Sequence, residues 1–178
     1  MCPFIKEGLD QEDKALHVVD PARQSELLRQ LGAVGVDTDA VRDTGQLEVR
    51  TWEQAHLQGR RFDKESWLAM LEEALIGFRA DGYRQTRVWS NQEWALEEVE
   101  GAEDLVEYES RFNHVVEKVA DPVICVYDLT KFDAAIMIDI LRTHPMVVIG
   151  GQLHENPFYV PTERFLDELR RRNQPVTA

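Results

Sequence analysis

Short apolar runs alternate along the chain with longer stretches whose apolar positions recur about every 3.6 residues. The runs rich in apolar or β-branched residues predict five strands, at 15–20 (ALHVVD), 46–52 (QLEVRTW), 86–90 (TRVWS), 123–128 (VICVYD) and 146–150 (MVVIG). Strands separated by helices are typical of a mostly parallel sheet covered on both faces. We therefore expect a three-layer α/β fold, with the last strand buried and pairing with 152–160 as an antiparallel edge.

The helical stretches have recognisable ends. One begins after Asp63, a good N-cap, and closes at the sequence DGY, and a second runs from Ala102 towards Pro122. A third, FDAAIMIDILR at 132–142, is apolar on nearly all sides, so we predict that it is the most buried helix. The last begins at Pro161 and ends in three arginines, which complement the helix dipole.

Length and composition indicate one domain. The chain has 178 residues, 43% of them hydrophobic and 30% charged, and no Pro- or Ser-rich linker interrupts it. We predict a single domain over 1–178 with its core at about 4–170. No apolar run approaches the roughly 18 residues of a membrane span, and the first residues do not resemble a secretory signal. These features favour a cytoplasmic protein without membrane contact.

Charge and motifs exclude several functions. A net charge of −13 argues against direct binding of nucleic-acid phosphates. The sequence has no G-x-x-x-x-G-K-[ST] loop for a nucleotide and no G-x-S-x-G elbow or Cys–His nucleophile pair, so we expect no cofactor and no catalysis. Its two cysteines and five histidines show no metal-ligand spacing, so we expect no zinc site, and Cys125 is predicted to be a buried small side chain.

Candidate ligand contacts concentrate where predicted strands end, because ligands of open parallel sheets bind beyond the carboxyl ends of the strands. The stretch VWSNQEW at 88–94 offers Trp89, Asn91, Glu93 and Trp94 as aromatic walls and polar groups of an organic-ligand pocket. The alternative is that both tryptophans are core residues. Asp20, which also ends a strand, is explained as an N-cap before Pro21.

Further candidates lie later in the chain. Glu109 and Asn113 share one helix face at the edge of an apolar stripe, where they serve either as a structural hydrogen-bond hub or as ligand contacts. Tyr127 ends the fourth strand. His144 and Glu155 flank the last one, where they either contact a ligand or pin a hairpin, and for Asn156 we prefer the structural role.

The order of these motifs resembles the MEDS family, the DcmR-type sensory domain of methanogens and methylotrophs. The resemblance rests on FIKEGLDQEDKALHVVD, GYRQTRVWSNQEWAL, EYESRFN and VICVYDLTKFDAAIMIDILRTHPMVVIGGQLHENPFYVP, which run from about Phe4 to Leu169. The combination of THP, the double glycine and ENPFY is its most specific part.

The resemblance implies a sensory domain on a KaiC- and RecA-like fold without ATP-binding residues. It also implies that a small organic molecule is sensed and that the signal passes to a transcriptional, kinase or anti-sigma partner. The matching polar positions are Glu93 and Trp94, Glu109 and Asn113, Tyr127 and Asp128, Thr143 and His144, and Glu155 and Asn156. Two features depart from the family pattern: the usual first strand before FIKEGL is either absent or cut off by truncation of the chain, and Asp20-Pro21 stands in place of an acidic pair.

Three functions compete. A sensor would bind its ligand beside Trp89, Trp94 and Tyr127 in a closed, mostly apolar pocket that exposes Glu93 or Glu109. A pure interaction module would show no cavity and an exposed apolar patch, and an uncovered sheet edge would favour a homodimer. A residual nucleotide-binding enzyme would need phosphate-binding groups that the sequence does not show.

Overall fold

The computed structural model describes residues 2–174 and shows an α/β fold. Its helices and strands, in chain order, are α1 (Cys2–Asp10), β1 (Lys14–Val19), α2 (Gln24–Ala33), α3 (Thr38–Asp43), β2 (Leu47–Thr51), α4 (Lys64–Ala80), β3 (Thr86–Asn91), α5 (Leu105–Val119), β4 (Val123–Val126), α6 (Ala134–Thr143), β5 (Met146–Ile149), β6 (Gln152–Glu155) and α7 (Thr162–Asn173). In the described range, no helix is long and apolar enough to cross a bilayer.

The main sheet has four parallel strands in the order β2-β1-β3-β4. In its register, His17 on β1 lies beside Val49 on β2 and beside Trp89 on β3. The chain therefore moves from β1 outwards to β2 and then crosses back over β1 to β3. This reversal makes the gap between β1 and β3 the switch point of the sheet, where open α/β folds bind ligands.

Alternation along the strands divides the core into two layers. Val88 on β3 belongs to a large apolar cluster with α4 and α5, whereas its neighbour Trp89 packs on a second cluster with α1 and α2. Adjacent residues of a strand point to opposite faces, so the sheet carries helices on both sides. The predicted three-layer α/β arrangement is confirmed.

Helix ends follow the predicted local chemistry. The Asp63 carboxylate accepts a hydrogen bond of 2.8 Å from the backbone N–H of Ser66, and α4 ends one residue before Asp81. The Asp20 carboxylate caps the short helical turn that starts at Pro21 by accepting from the N–H of Ala22 at 2.8 Å. The three arginines 170–172 fall in the last turn of α7.

The expectation that 146–150 forms a buried strand of the main sheet is wrong. β5 pairs antiparallel with β6, and the two form a separate sheet in the described part of the chain. Gly150 and Gly151 both have positive φ, 59° and 80°, and form the tight turn of a hairpin. β5 therefore pairs with β6, which begins directly after this two-residue turn. Its side chains face outwards, with Val148 56% and Ile149 65% exposed.

The prediction that the 132–142 helix is the most buried one is also wrong. On α6, Ile140 is buried, but Ile138 is 62% exposed. The reason is its position: α6 packs on α5 and α7 beside β4, which is an edge strand, and nothing in the described range covers its outer face. Helix α6 is therefore apolar on nearly all sides but buried on only one side.

Candidate functional site

A cleft lies at the switch point, between the carboxyl ends of β1 and β3. Its volume is about 390 Å³, within the usual size range of small-molecule pockets. Strand ends and helix α2 supply its walls, which are formed by Val19, Asp20, Arg23, Glu26, Leu27, Gln30, Trp89 and Asn91. Of the predicted ligand contacts, Trp89 and Asn91 therefore lie together in one concave site.

The walls of the cleft combine apolar and polar groups. Val19, Leu27 and Trp89 belong to the apolar cluster on this face of the sheet. Behind Trp89 lies the fully buried ring of His17, with the two ring centres 6.2 Å apart. Burial without a hydrogen-bond partner lowers the pKa of His17 to about 3, so its ring is neutral and acts as part of the core.

Glu93 lies beside the cleft, where it contacts two of the lining residues, Asn91 and Arg23. The Asn91 amide donates to a Glu93 oxygen at 3.3 Å, Arg23 lies 3.7 Å away, and Lys131 forms an ion pair with the other oxygen. Burial raises the pKa of Glu93, but the hydrogen bonds from Lys131 and Asn91 and the charge of Arg23 outweigh it, so the pKa falls below its usual value. Glu93 is thus an ionised anchor that positions Asn91.

Trp94 lies on the other side of the sheet, so the expectation that Trp89, Trp94 and Tyr127 share one pocket is wrong. Its ring is fully buried among aromatic side chains and stacks on His56, with centroids 4.7 Å apart. The chain leaves β3 at Asn91 and turns into a short helical segment, which places Trp94 beneath α4 and α5. Trp94 is a core residue, as the structural alternative proposed.

A polar cluster around the buried Glu109 gathers several of the remaining candidates. Glu109 on α5 accepts a hydrogen bond of 2.5 Å from the Tyr127 hydroxyl, and its other carboxylate oxygen lies 3.4 Å from Nε2 of His144. The side chain of Glu109 is only 1% exposed, and that of His144 is 25% exposed. Cys125 on β4 joins them, and the ligand atoms of Glu109, Cys125 and His144 all lie within 4.8 Å of one another.

Burial and the nearby Glu109 carboxylate together shift the pKa values of its neighbours. Burial and then the negative charge of Glu109 raise the pKa of the Cys125 thiol and of the Tyr127 hydroxyl well above their usual values. Burial lowers the pKa of His144, but its hydrogen bond and charge interaction with Glu109 and its contact with the Ile140 carbonyl raise it more. Cys125 is therefore a neutral thiol at neutral pH, which makes it a poor nucleophile.

Two asparagines hold the segment that carries His144. Asn113 donates to the Thr143 carbonyl at 2.7 Å. Asn156 donates to the carbonyls of Leu141 and His144 at 2.6 and 2.7 Å, so the predicted role of Asn156 in pinning the hairpin is confirmed. Glu155 pairs with Met146 on the exposed hairpin and lies in neither the cleft nor the cluster.

Sequence reasoning missed two parts of these sites. Arg23, just before α2, and Glu26 and Gln30 on α2 line the cleft from a segment that carries no motif, and only the strand-end rule pointed to neighbouring Asp20. The association of Cys125 with Glu109 and His144 has no local signal, because the three residues come from separate elements.

The fold and the cleft define an open parallel-sheet α/β domain with a ligand-sized site at its switch point. A family model described as the methanogen/methylotroph, DcmR sensory domain matches residues 1–145. The chain belongs to this MEDS family of sensory domains. The match ends just before β5, so the hairpin and α7 lie beyond it.

Comparison with solved structures finds a KaiC-like protein from the hyperthermophilic archaeon Pyrococcus horikoshii. The TM-score is 0.49 and the sequence identity 14%, over 68% of this chain and 50% of that protein. The chain thus spans half the length of that protein. None of the curated proteins matches this chain.

Proposed function

We propose that this domain is a non-catalytic sensor that binds a small organic molecule in the cleft at the switch point and signals to a regulatory protein. The observation that carries this proposal is the position of the cleft, which joins Trp89 and Asn91 at the end of β3 to Asp20 at the end of β1. Membership of a sensory family supports the same conclusion.

The cleft favours a neutral or cationic organic ligand of modest size. Trp89 and Leu27 provide apolar surface, and Asn91 and Gln30 provide amides that orient a polar group. The charged groups on the walls are Asp20 and Glu26 against Arg23 alone, and the whole chain carries a net charge of −13. An anion would meet this excess of carboxylates, whereas a neutral or cationic molecule would not.

Binding rather than catalysis is supported by the state of the carboxylates. Asp20 caps a helical turn through Oδ1, and Oδ2 lies 3.8 Å from Arg23. Glu93 is held by Lys131 and Asn91. A general base needs a carboxylate that is free to take a proton from a substrate, and both are engaged here.

An exposed apolar surface on the hairpin supports the regulatory role. Met146, Val148 and Leu153 share one face of the ribbon, because Val148 and Leu153 are paired in register and Met146 lies two residues from Val148. Leu153 is 66% exposed. A solvated apolar face of this kind is typical of a surface that binds another protein. We propose a transcriptional, kinase or anti-sigma regulator as the partner, with a homodimer as the other outcome of a test by sedimentation.

Tryptophan fluorescence tests the ligand proposal directly. Trp89 is partly exposed in the cleft, whereas Trp52, Trp67 and Trp94 are buried. We would screen small neutral and cationic organic compounds by thermal shift and then titrate each stabilising compound while recording emission. A cleft ligand should change the emission of the wild type and should raise its melting temperature, since it prefers the native state.

Two variants separate the cleft from other binding sites. In Trp89→Phe the emission change should disappear while a weaker thermal shift remains, and Gln30→Ala should weaken binding through loss of a wall amide. Gln24→Ala on the same helix, outside the cleft, is the matched control and should bind as the wild type does. Ligands that stabilise Gln30→Ala and Gln24→Ala equally, with no effect on Trp89 emission, would refute the proposed site.

A further inference from the structure

We propose that Glu109, Cys125 and His144 form a binding site for a zinc ion on the face of the sheet opposite the cleft. The three residues come from α5, β4 and the turn after α6, and their ligand atoms lie within 4.8 Å of one another. Within residues 2–174 this is the one group of three or more such side chains close enough to hold a metal. The inference does not depend on a ligand in the cleft.

The distances suit a tetrahedral ion. Zinc–nitrogen and zinc–oxygen bonds of about 2.0–2.1 Å place two ligands about 3.3 Å apart in a tetrahedral site. The distance from His144 Nε2 to Glu109 Oε2 is 3.4 Å. A zinc–sulfur bond of about 2.3 Å requires the thiolate about 3.5 Å from each of the other ligand atoms. Cys125 lies within 4.8 Å of both, so small side-chain rotations complete the site.

Hydrogen bonds orient the histidine as metal sites require. Nδ1 of His144 lies 2.8 Å from the carbonyl oxygen of Ile140 and 3.0 Å from the hydroxyl of Thr143. When Nδ1 carries the proton and donates to that carbonyl, Nε2 of the neutral ring has a free lone pair that faces Glu109. A backbone carbonyl that holds the other nitrogen in this way is a regular feature of metal-binding histidines.

The carboxylate is oriented in the same way. The hydroxyl of Tyr127 donates to Oε1 of Glu109, which leaves Oε2 directed at His144. Oε2 is buried, lies 3.4 Å from Nε2 of His144 and, among the described residues, has no other close side-chain donor besides the Cys125 thiol. Without a metal the His144 ring compensates the charge of this carboxylate, and a bound divalent ion would take over that role.

The donor set selects the class of metal. Metal binding would release the thiol proton of Cys125 to solvent. The resulting thiolate, with one imidazole and one carboxylate, favours zinc and similar transition metals over Mg²⁺ or Ca²⁺, which prefer oxygen ligands alone. Three protein ligands leave a fourth position for water or another small ligand. The partly exposed ring of His144 gives this position a route to solvent. Because Asn156 ties the His144 carbonyl to the hairpin, metal binding would also fix the base of that hairpin.

Cobalt and zinc titrations of the purified, chelator-treated chain test the proposal. Co²⁺ is used first, because a thiolate ligand gives a charge-transfer band in the near ultraviolet and a tetrahedral site gives strong visible absorption. We expect one equivalent of Co²⁺ to produce both signals and Zn²⁺ to displace it. X-ray absorption of the zinc form should show one sulfur neighbour at about 2.3 Å and lighter neighbours at about 2.0 Å.

Matched variants identify the ligands. Cys125→Ser and His144→Gln should weaken zinc binding by at least about 10-fold, and Cys125→Ser should remove the charge-transfer band. The controls are Cys2→Ser, which changes the other cysteine, and His154→Gln, which changes an exposed histidine on β6. Both controls should bind as the wild type does.

Three results would overturn the proposal. The first is no stoichiometric binding of Co²⁺ or Zn²⁺ by the wild type. The second is bound metal without a sulfur neighbour, which the wild-type X-ray spectrum decides even if a variant fails to fold. The third is loss of the charge-transfer band in Cys2→Ser rather than in Cys125→Ser. None of these results bears on ligand binding in the cleft, so the two proposals fail separately.

Discussion

Replacing His56 tests whether burial keeps a histidine neutral in this core. The ring stacks on Trp94 and lies 4.6 Å from the ring of Trp67, and neither of its nitrogens has a hydrogen-bond partner among the described residues. Burial lowers its pKa from 6.5 to about 3. The folded state therefore resists protonation over a pH range in which the unfolded chain accepts a proton.

The sign and size of the effect follow from linkage. The folded pKa of His56 is depressed, so the unfolded state binds more protons below pH 6.5, and stability falls as the pH decreases from 6.5 until it levels off near pH 3. At pH 5 the unfolded histidine is about 97% protonated, and the loss of unfolding free energy relative to pH 7 is about 2 kcal/mol. His17 is in the same situation and adds a similar loss.

Urea unfolding of wild type and His56→Phe at pH 7 and pH 5 measures the contribution of His56 to the pH dependence of stability. Phenylalanine keeps the stacked ring and removes the two buried nitrogens, so we expect stabilities within about 1 kcal/mol at pH 7. At pH 5 the variant should gain about 2 kcal/mol relative to the wild type, because all other titrating groups cancel in the difference. His154→Gln, at an exposed site, controls for the loss of a histidine. An unchanged difference between wild type and His56→Phe at the two pH values would refute the reasoning.

Three further predictions concern local contacts. Gly101→Ala places a methyl group 2.1 Å from the carbonyl oxygen of Phe62 at a φ of 89°, so it should lower the unfolding free energy in urea by about 3 kcal/mol or more. Its control, Gly82→Ala, has a φ of 101° but open space around the new methyl group, and should lower the unfolding free energy by only about 1 kcal/mol. Asn156→Ala removes both donors that hold the hairpin and should speed its proteolysis without lowering the urea midpoint of the main sheet. Asp121→Ala removes the buried acceptor of a backbone N–H and an arginine, and should lower the unfolding free energy by about 1–3 kcal/mol.

The spacing of apolar residues predicted the layered sheet, because each of its helices and strands buries one regular face in the core. The stripe of α4 that includes Trp67, Leu71 and Leu75 is buried, and the helix begins and ends at the predicted cap and turn. The same reasoning failed for α6 and β5. Ile138 and Val148 are residue types that usually lie in a core, but here they lie beyond the edge strand β4 and are exposed. Composition shows which residues favour burial, whereas sheet order decides whether a layer exists to bury them.

The sites were predictable only as far as strand ends determine them. Asp20, Trp89 and Asn91 end two strands, and the sheet brings these strands together because β1 and β3 are neighbours. Cys125 was predicted as a small buried side chain, but on the edge strand β4 it is only partly buried and has polar neighbours. Its association with Glu109 depends on how α5 crosses β4, a tertiary relation that no spacing along one chain encodes.

The two sites meet at the end of β3 even though they lie on opposite faces of the sheet. Asn91 lines the cleft, and the next side chain, Gln92, accepts a hydrogen bond from Trp94 at 2.6 Å and is close enough to the Cys125 thiol to act on its pKa. Because Gln92 directly follows Asn91, the last residue of β3, we expect a ligand that moves Asn91 to shift a neighbour of the polar cluster as well. From that cluster, His144 continues through Asn156 to the exposed hairpin. A continuous set of contacts therefore joins the proposed ligand cleft to the proposed partner surface, with the proposed metal site between them.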